Sequence, residues 1–207
     1  MTGAGTNTYL VGTDDVAVID PGPYAPSHIA DIVGATGSGR VRWVLLTHTH
    51  IDHAPGARPL AQQTGAQILA FAAAGAVSVG RSFGDGQSVV GSGFTLEAIH
   101  TPGHASDHLC FFLKEERALF SGDLVMSGST VVIAPPDGDM AEYLRSLERV
   151  RQWNPARIYP GHGDPLDAPD VVIEEYIRHR HMREQQVLEA LRDGARRIPE
   201  MVVRIYS

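Results

Sequence analysis

Four side chains that commonly bind metal ions stand close together between Thr47 and His53. His48, His50, Asp52 and His53 place three imidazoles and one carboxylate within six positions. Neutral imidazole and ionised carboxylate are ligands of Zn²⁺ in four- or five-coordinate sites. A structural zinc site usually completes its coordination with cysteine, whereas a catalytic site keeps one position open. The stretch therefore predicts a catalytic metal site rather than a solvated loop that happens to be rich in histidine.

The same stretch directly follows an apolar run, 41–46, that is typical of a buried strand. Three more potential ligands stand just beyond the ends of other apolar strands: His104, Asp123 and His162. Each of these three stands beside a glycine, which lets the backbone turn sharply and leaves room for an ion. Together the five histidines and two aspartates suffice for two adjacent ions that share a carboxylate. Such a pair, roughly 3.5–4 Å apart, holds a bridging hydroxide and polarises the oxygen of an electrophile.

Apolar periodicity and turn residues predict alternating strands and helices along the chain. The predicted strands cover 8–12, 16–20, 41–46, 67–71, 94–100, 109–113, 118–121 and 157–159. The predicted helices cover 27–36, 56–64, a segment that opens at 139, and 170–192, with N-caps at Ser27, Asp139 and Asp170. Residues 72–93 are rich in Gly, Ser and Ala and predict loops with short strands.

Four motifs at the strand ends resemble the metallo-β-lactamase superfamily. They are His48-Thr49-His50-Ile51-Asp52-His53, Thr101-Pro102-Gly103-His104, Ser121-Gly122-Asp123 and Tyr159-Pro160-Gly161-His162-Gly163. The resemblance covers most of the chain, and the order of the motifs matches. It implies an α/β fold, the αββα sandwich of two mixed β-sheets flanked by helices, with the metal site at one edge.

The resemblance also implies a role for each ligand residue. The first metal would be bound by His48, His50 and His104, the second by Asp52, His53 and His162, and both would be bridged by Asp123. Asp52 would in addition orient the nucleophilic water, so Asp52 and Asp123 are the predicted catalytic residues. The implied cofactor is a pair of Zn²⁺ ions, with Fe or Mn as alternatives. The implied activity is that of a dinuclear zinc hydrolase using a metal-bridging hydroxide.

Within the superfamily the chain is most similar to the β-lactamase-like protein 2 group. The likeness rests on residues 5–12, on Gly128-Ser129-Thr130-Val131 and on the helical segment 176–186. The mitochondrial member of that group resembles an endoribonuclease acting on single-stranded RNA, which slightly favours an RNA phosphodiester as the substrate. The alternatives are small molecules: the thioester of a glyoxalase-II-like enzyme, a lactone or a β-lactam.

Two hypotheses lie outside hydrolysis. The first is an iron-binding oxidoreductase of the same fold, although diiron relatives replace one motif histidine with Glu and carry a flavin domain, whereas this chain keeps His50. The second is a metal-binding module without catalysis. The full ligand set argues against this second hypothesis.

The chain departs from the family pattern at several points. Ala54-Pro55-Gly56 follows the first motif, where the family often has two glycines. The β-lactamase-like protein 2 group continues past the long helix into a small winged-helix-like domain. We therefore predict a metallo-β-lactamase-like domain over 1–193, including the long helix, and the start of a truncated winged-helix-like segment over 194–207.

Composition limits the partners and the cellular location that we expect for the protein. A formal net charge of −7 argues against a uniformly basic surface for nucleic acid. Cys110, the single cysteine, excludes an internal disulfide and lies in an apolar run, so we expect a small buried side chain rather than a nucleophile. No apolar run approaches the length of a membrane span, so we expect no membrane contact and a cytoplasmic location.

Several residues have two open interpretations. Ser129 and Thr130 follow the bridging aspartate and could line the substrate pocket. His179 and Arg183 share a helix face with Tyr176 that could bind phosphate or carboxylate, or could be solvated and paired with neighbouring glutamates.

Two more candidates stand at the boundaries of predicted strands. Asp20 ends a strand as an ordinary turn residue or as a partner that orients a metal-bound histidine. For His108, a strand-start residue satisfied by the backbone is favoured over a residue that donates to a substrate or supports the metal ligands.

Overall fold

The computed structural model describes residues 5–71 and 81–206. These residues form ten strands: β1 Tyr9–Val11, β2 Asp15–Ile19, β3 Arg40–Leu45, β4 Gln67–Ala70, β5 Arg81–Ser82, β6 Ser88–Gly91, β7 Phe94–His100, β8 Leu109–Leu113, β9 Ala118–Gly122 and β10 Arg157–Pro160. They also form five helices: α1 Pro26–Ala35, α2 Ala57–Thr64, α3 Met140–Gln152, α4 Pro169–Arg192 and α5 Ile198–Tyr206. Part of the predicted loop region, 72–80, lies outside the described residues. None of the helices in the described part combines the length and apolar character needed to cross a membrane.

The strands form two five-stranded mixed sheets. The first has the order β1-β2-β3-β4-β5, in which only the pair β1 and β2 is antiparallel. The second has the order β10-β9-β8-β7-β6, in which only the pair β10 and β9 is parallel.

Three apolar layers hold the two sheets and the helices together. Between the sheets lies a core that includes Ile19, Leu45, Phe111 and Phe120. On the outer face of the first sheet, residues of β2 and β3 pack against α1 and α2. On the outer face of the second sheet, residues of β7 to β10 pack against α3 and α4. Alternate residues of a strand point to opposite faces, and both faces of these strands are buried, which explains their continuous apolar runs. The predicted αββα sandwich is confirmed.

Strand direction brings the polar strand ends to one edge of the sandwich. β2 and β3 are parallel, so Asp20 and Thr47 follow at the same edge of the first sheet. β9 and β10 are parallel, so Asp123 and His162 follow at the same edge of the second sheet. β7 also runs parallel to β9, since each is antiparallel to β8, and it delivers the loop with His104 to that edge.

Of the three predicted helix caps, only Asp139 is confirmed. Its carboxylate accepts a hydrogen bond from the backbone N–H of Glu142 at 2.9 Å. Helices α1 and α4 instead begin at Pro26 and Pro169, and their N-caps are Ala25 and Ala168. Ser27 and Asp170 therefore lie in the first turn, and their prediction as caps is wrong. Proline favours the first helical position, because its missing N–H would have no partner there, and this moves the cap to the preceding alanine.

Candidate metal centre

The structure brings all seven predicted ligand residues together at the strand ends. Three groups have ligand atoms within 4.8 Å of one another: His48 with His50 and His104, His48 with His53 and Asp123, and Asp52 with His53 and His162. The groups share members, so they form one continuous cluster. The cluster draws on both sheets, because three separate loops of the second sheet face the loop that follows β3.

Four polar atoms of the cluster are buried and have no hydrogen-bond partner among residues 5–71 and 81–206. They are His48 Nε2, His53 Nε2, His162 Nε2 and Asp123 Oδ1. Leaving a buried polar group without a partner costs about 1–3 kcal/mol. A divalent cation would satisfy all four atoms, because imidazole nitrogen and carboxylate oxygen are its ligands. The residues therefore fit a metal ion.

The two carboxylate oxygens of Asp123 face different parts of the cluster. Oδ1 lies 3.4 Å from His53 Nε2 and 3.4 Å from His162 Nε2. Oδ2 lies 3.5 Å from His104 Nε2. Two ligands bound at about 2.0–2.1 Å to one tetrahedral ion lie about 3.3 Å apart. The spacing at each oxygen therefore matches that of ligands on a common ion.

Asp20 determines which nitrogen of two histidines carries the proton. Its Oδ1 accepts a hydrogen bond from the Thr47 backbone N–H at 2.8 Å, and its Oδ2 accepts from the Thr47 hydroxyl at 2.6 Å. Oδ2 also lies 2.8 Å from His53 Nδ1, which must donate because the carboxylate only accepts. Because the Thr47 hydroxyl donates its single proton to Asp20, it accepts a hydrogen bond from His48 Nδ1 at 3.0 Å. Nε2 of both rings is thus left as a free lone pair, which favours the orienting role for Asp20 over that of an ordinary turn residue.

Backbone carbonyls orient two further histidines in the same way. His104 Nδ1 lies 2.7 Å from the carbonyl oxygen of Val132, and His162 Nδ1 lies 3.0 Å from that of Gly5. A carbonyl only accepts, so both Nδ1 atoms carry the proton and both Nε2 atoms face the cluster as lone pairs. His50 turns its Nδ1 toward the cluster, 3.0 Å from His104 Nε2.

The charges within the cluster are set by burial and by the carboxylates. Burial lowers the pKa of His48 and His104, which keeps both rings neutral. Burial also opposes the charged form of His53, but Asp20 and Asp123 raise the pKa of that ring to about 10. The carboxylates of Asp123 and Asp52, each 3.4 Å from His162 Nε2, raise the pKa of His162 to about 10. Nε2 of His53 and of His162 is a lone pair only in the neutral ring. Without metal the raised pKa values favour a second proton at each Nε2, and a cation would have to displace that proton.

Comparison with known families covers the part of the chain that contains all seven ligand residues. The sequence profile of the Metallo-beta-lactamase superfamily matches residues 1–162. The chain belongs to this superfamily. The membership predicted from the four strand-end motifs is thus confirmed.

The chain is also similar to individual proteins and to solved structures. The "Beta-lactamase-like protein 2 homolog" of Caenorhabditis elegans is 34% identical over 203 residues, covering 91% of this chain and 66% of that protein. The metallo-beta-lactamase family protein TTHA1429 of Thermus thermophilus has a TM-score of 0.80 at 21% identity, over 97% of this chain and 82% of that chain. TTHA1623, solved in a di-iron-bound form, has a TM-score of 0.68 at 27% identity, over 80% of this chain and 91% of that chain. The chain spans 56% to 69% of the length of the curated relatives compared.

In this metallo-β-lactamase superfamily chain, His108 is satisfied by a backbone contact and also supports a proposed metal ligand. Its Nε2 accepts a hydrogen bond from the backbone N–H of Asp123 at 3.1 Å, and its Nδ1 lies 2.8 Å from the Thr101 hydroxyl. Burial, assisted by the neighbouring His104, lowers the pKa of His108 to about 3, so the ring stays neutral. The backbone therefore satisfies the side chain, as favoured from the sequence, and the same contact holds Asp123 in place.

Of the four residues predicted to bind substrate, two lie in the loop that follows Asp123 and two lie on α4. Ser129 and Thr130 are exposed in the loop that follows Asp123. Arg183 stacks over the Tyr206 ring, 4.6 Å from its centroid, and donates to Gln186. Among the described residues no hydrogen bond or ion pair joins His179 or Arg183 to the cluster. Their role in substrate binding stays a prediction.

Two other residues on α4 do reach this loop. Tyr176 and Arg180 make hydrogen bonds to backbone atoms between Met126 and Val131. Their spacing of four places both on one face of the helix. The sequence placed Tyr176 on a face with His179 and Arg183 and did not single out Arg180. The same spacing recurs along α4, so it could not have distinguished this pair from solvated neighbours.

Proposed function

We propose that the chain hydrolyses its substrate with two divalent metal ions. One ion would be held by His48, His50 and His104, the other by Asp52, His53 and His162, and Asp123 would give one oxygen to each. The observation that carries this proposal is the division of Asp123, with Oδ1 within 3.4 Å of His53 and His162 and Oδ2 within 3.5 Å of His104. A carboxylate serving one ion alone would not need its two oxygens to face separate ligand groups.

The residues around the cluster supply the remaining chemistry. A bound pair of divalent ions would supply hydroxide at neutral pH and would polarise the electrophile's oxygen. The Asp52 side chain is 32% exposed, and its Oδ2 lies 3.4 Å from His162 Nε2. The neighbouring His162 imidazole lowers the pKa of Asp52, so the carboxylate stays ionised. Asp52 would therefore orient the nucleophilic water and accept a proton at its carboxylate.

We propose zinc as the metal, because the ligands are imidazoles and carboxylates in a low-coordinate cluster. Iron and manganese are the alternatives, and the di-iron-bound form of TTHA1623, at 27% identity, favours iron among them. Iron accompanied by oxygen consumption would instead support an oxidoreductase of the same fold.

For the substrate we propose a phosphodiester of single-stranded RNA. The proposal rests on the resemblance to the β-lactamase-like protein 2 group, whose mitochondrial member resembles an endoribonuclease, and the worm relative bears the name of that group. A specific observation favours a second candidate, an acyl ester or thioester. Two large apolar side chains stand exposed beside the cluster: Ile51 is 82% exposed between His50 and Asp52, and Val132 is 70% exposed. The Val132 carbonyl accepts a hydrogen bond from His104, so the exposed Val132 side chain belongs to a residue that contacts a proposed ligand. Exposed apolar groups around a polar site commonly contact an apolar part of a ligand.

One panel tests the metal and the substrate together. The purified chain is analysed for metal by mass spectrometry and then assayed with single-stranded RNA, an acyl thioester and a chromogenic lactam. We expect about two equivalents of zinc and hydrolysis of RNA or of the thioester that is lost on chelation and restored by zinc. A protein with two zinc ions and no turnover of any of the three substrates would argue for a binding module.

The exposed apolar pair gives a prediction that separates the two substrate candidates. If an acyl group contacts this surface, Ile51→Ser and Val132→Ser raise KM for a long-chain thioester about tenfold and leave a short-chain thioester unchanged, because an apolar contact of a few methylenes is worth about 1–3 kcal/mol. Val132→Ser keeps the backbone carbonyl that accepts from His104. The matched control is Val90→Ser, which alters a side chain that is 66% exposed on β6. Equal KM changes for short and long chains would exclude the apolar contact.

A further inference from the structure

Helix α4 holds the loop that follows β9 through the hydroxyl of Tyr176. This oxygen lies 2.8 Å from the carbonyl oxygen of Met126 and 2.6 Å from that of Ser129. The backbone N–H of Met126 donates to the same hydroxyl at 3.2 Å. A hydroxyl has one proton and two lone pairs, so it can accept this bond and still donate to one of the carbonyls. The Tyr176 side chain thereby contacts the backbone at both ends of the segment 126–129.

One helical turn further along, Arg180 holds the next part of the loop. Its guanidinium donates to the carbonyl oxygen of Val131. The same group stacks 5.3 Å from the centroid of the Tyr143 ring, a fully buried side chain whose hydroxyl donates to the Leu124 carbonyl at 2.8 Å. A guanidinium fixed by an aromatic face and a carbonyl has little freedom to move. Val131, which is 2% exposed, is therefore held both by its packing and by its carbonyl.

The next residue of the loop contacts a proposed metal ligand. The Val132 carbonyl accepts from His104 Nδ1 at 2.7 Å, while the Val132 side chain is 70% exposed and packs little. The position of this carbonyl thus depends on the residues before it, which Tyr176 and Arg180 hold. The connection from α4 to the ring of His104 thus has three parts: the hydrogen bonds from α4 to the loop, the backbone from Val131 to Val132, and the hydrogen bond between the Val132 carbonyl and His104.

We propose that Tyr176 and Arg180 are positioning residues for His104. They fix the Val132 carbonyl, and that carbonyl fixes the tautomer and the ring plane of His104 with Nε2 toward the cluster. The inference rests on the proposed function, because His104 matters to the reaction as a metal ligand. It assigns a role to α4 that involves no contact with the substrate.

The test measures zinc binding directly and does not depend on knowing the substrate. Tyr176→Phe removes the hydroxyl and keeps the ring, and Arg180→Met removes the guanidinium and keeps much of the apolar stem. Partners that orient a metal-bound histidine are typically worth about 10–100-fold in affinity, so we expect about a tenfold loss from these more remote contacts. Calorimetric titration of zinc into the metal-stripped protein should show one weakened binding step and one unchanged step. Hydrogen exchange at the Met126 amide should accelerate in Tyr176→Phe.

Arg178→Met is the matched control, because the Arg178 side chain is 74% exposed on the same helix and, within the part of the chain that the structure describes, forms one ion pair, with Glu175. It should leave both binding steps unchanged. Arg180→Lys restores a donor to the Val131 carbonyl and should recover part of the lost affinity. Faster exchange at Met126 with two unchanged zinc affinities would overturn the inference, because the loop would then be held without effect on His104. A wild-type chain that binds no more than one zinc would instead contradict the two-metal proposal itself.

Discussion

Replacing Asp123 with asparagine is expected to abolish hydrolysis and to reduce the zinc content from about two equivalents toward one. Asparagine has the same shape as aspartate, so the fold should tolerate the change even though the residue is only 6% exposed. The amide offers one oxygen, and its NH₂ group must then face the other ligand group, where it cannot coordinate. The lost charge stabilisation amounts to several kcal/mol, so we expect kcat to fall by about three powers of ten, or about 4 kcal/mol.

The control for this prediction is the same chemical change at an exposed carboxylate. Asp167 is 77% exposed and pairs with Arg157 at 2.7 Å, away from the cluster. Asp167→Asn should keep both the zinc content and the turnover. Metal analysis by mass spectrometry and steady-state kinetics on the same preparations measure both effects. Asp123→Asn with full metal content and full turnover would show that Asp123 does not bridge two ions.

The ligand residues could be located from the sequence because their position depends on local features. Each follows an apolar strand, and each strand could be recognised from its own residues. Strand pairing was not needed to see that His48, His104, Asp123 and His162 all stand at strand ends. The common edge follows once β2 and β3 are parallel and β7, β9 and β10 share one direction.

The partners that orient the ligands could not be predicted in the same way. Asp20 lies 33 residues before His53, and Val132 lies 28 residues after His104. Val132 acts through its backbone carbonyl, which any residue possesses, so its identity carries no signal. Asp20 did stand at a strand end, but a carboxylate before Pro21 is equally typical of a turn. Only the packing of β2 beside β3 distinguishes the two.

The long helix shows a second limit of sequence patterns. His179 and Arg183 were singled out for their charge, yet the residues that contact the loop after Asp123 are Tyr176 and Arg180. A helix face can be recognised from spacing, but the direction of that face depends on how α4 packs against α3. The buried side chain of Ile173 fixes this direction by packing into the core beneath the two helices.

Replacing Asp20 with asparagine is expected to weaken zinc binding about 100-fold, although Asp20 would itself touch no metal. All three of its partners donate to it: the Thr47 N–H, the Thr47 hydroxyl and His53 Nδ1. An asparagine that keeps the bond to the Thr47 N–H turns its own NH₂ toward the other two. His53 must then accept at Nδ1 and carry its proton on Nε2, the atom that faces Asp123. A histidine in this tautomer cannot bind the metal, and the Thr47 hydroxyl must also reorient, which disturbs His48.

Asparagine is the informative substitution because Asp20 has a positive φ of 48°. Asn tolerates this left-handed conformation nearly as well as Asp, whereas alanine would add backbone strain to the electrostatic effect. Asp15→Asn is the matched control, since it alters a partly exposed carboxylate at the other end of β2 that pairs with Arg42. We expect turnover of Asp20→Asn to fall at limiting zinc and to recover partly in excess zinc, because the ligands are present but wrongly protonated. Zinc titration of both variants measures the effect. If Asp20→Asn bound zinc as tightly as Asp15→Asn, the hydrogen bonds of Asp20 would not set the tautomer of His53.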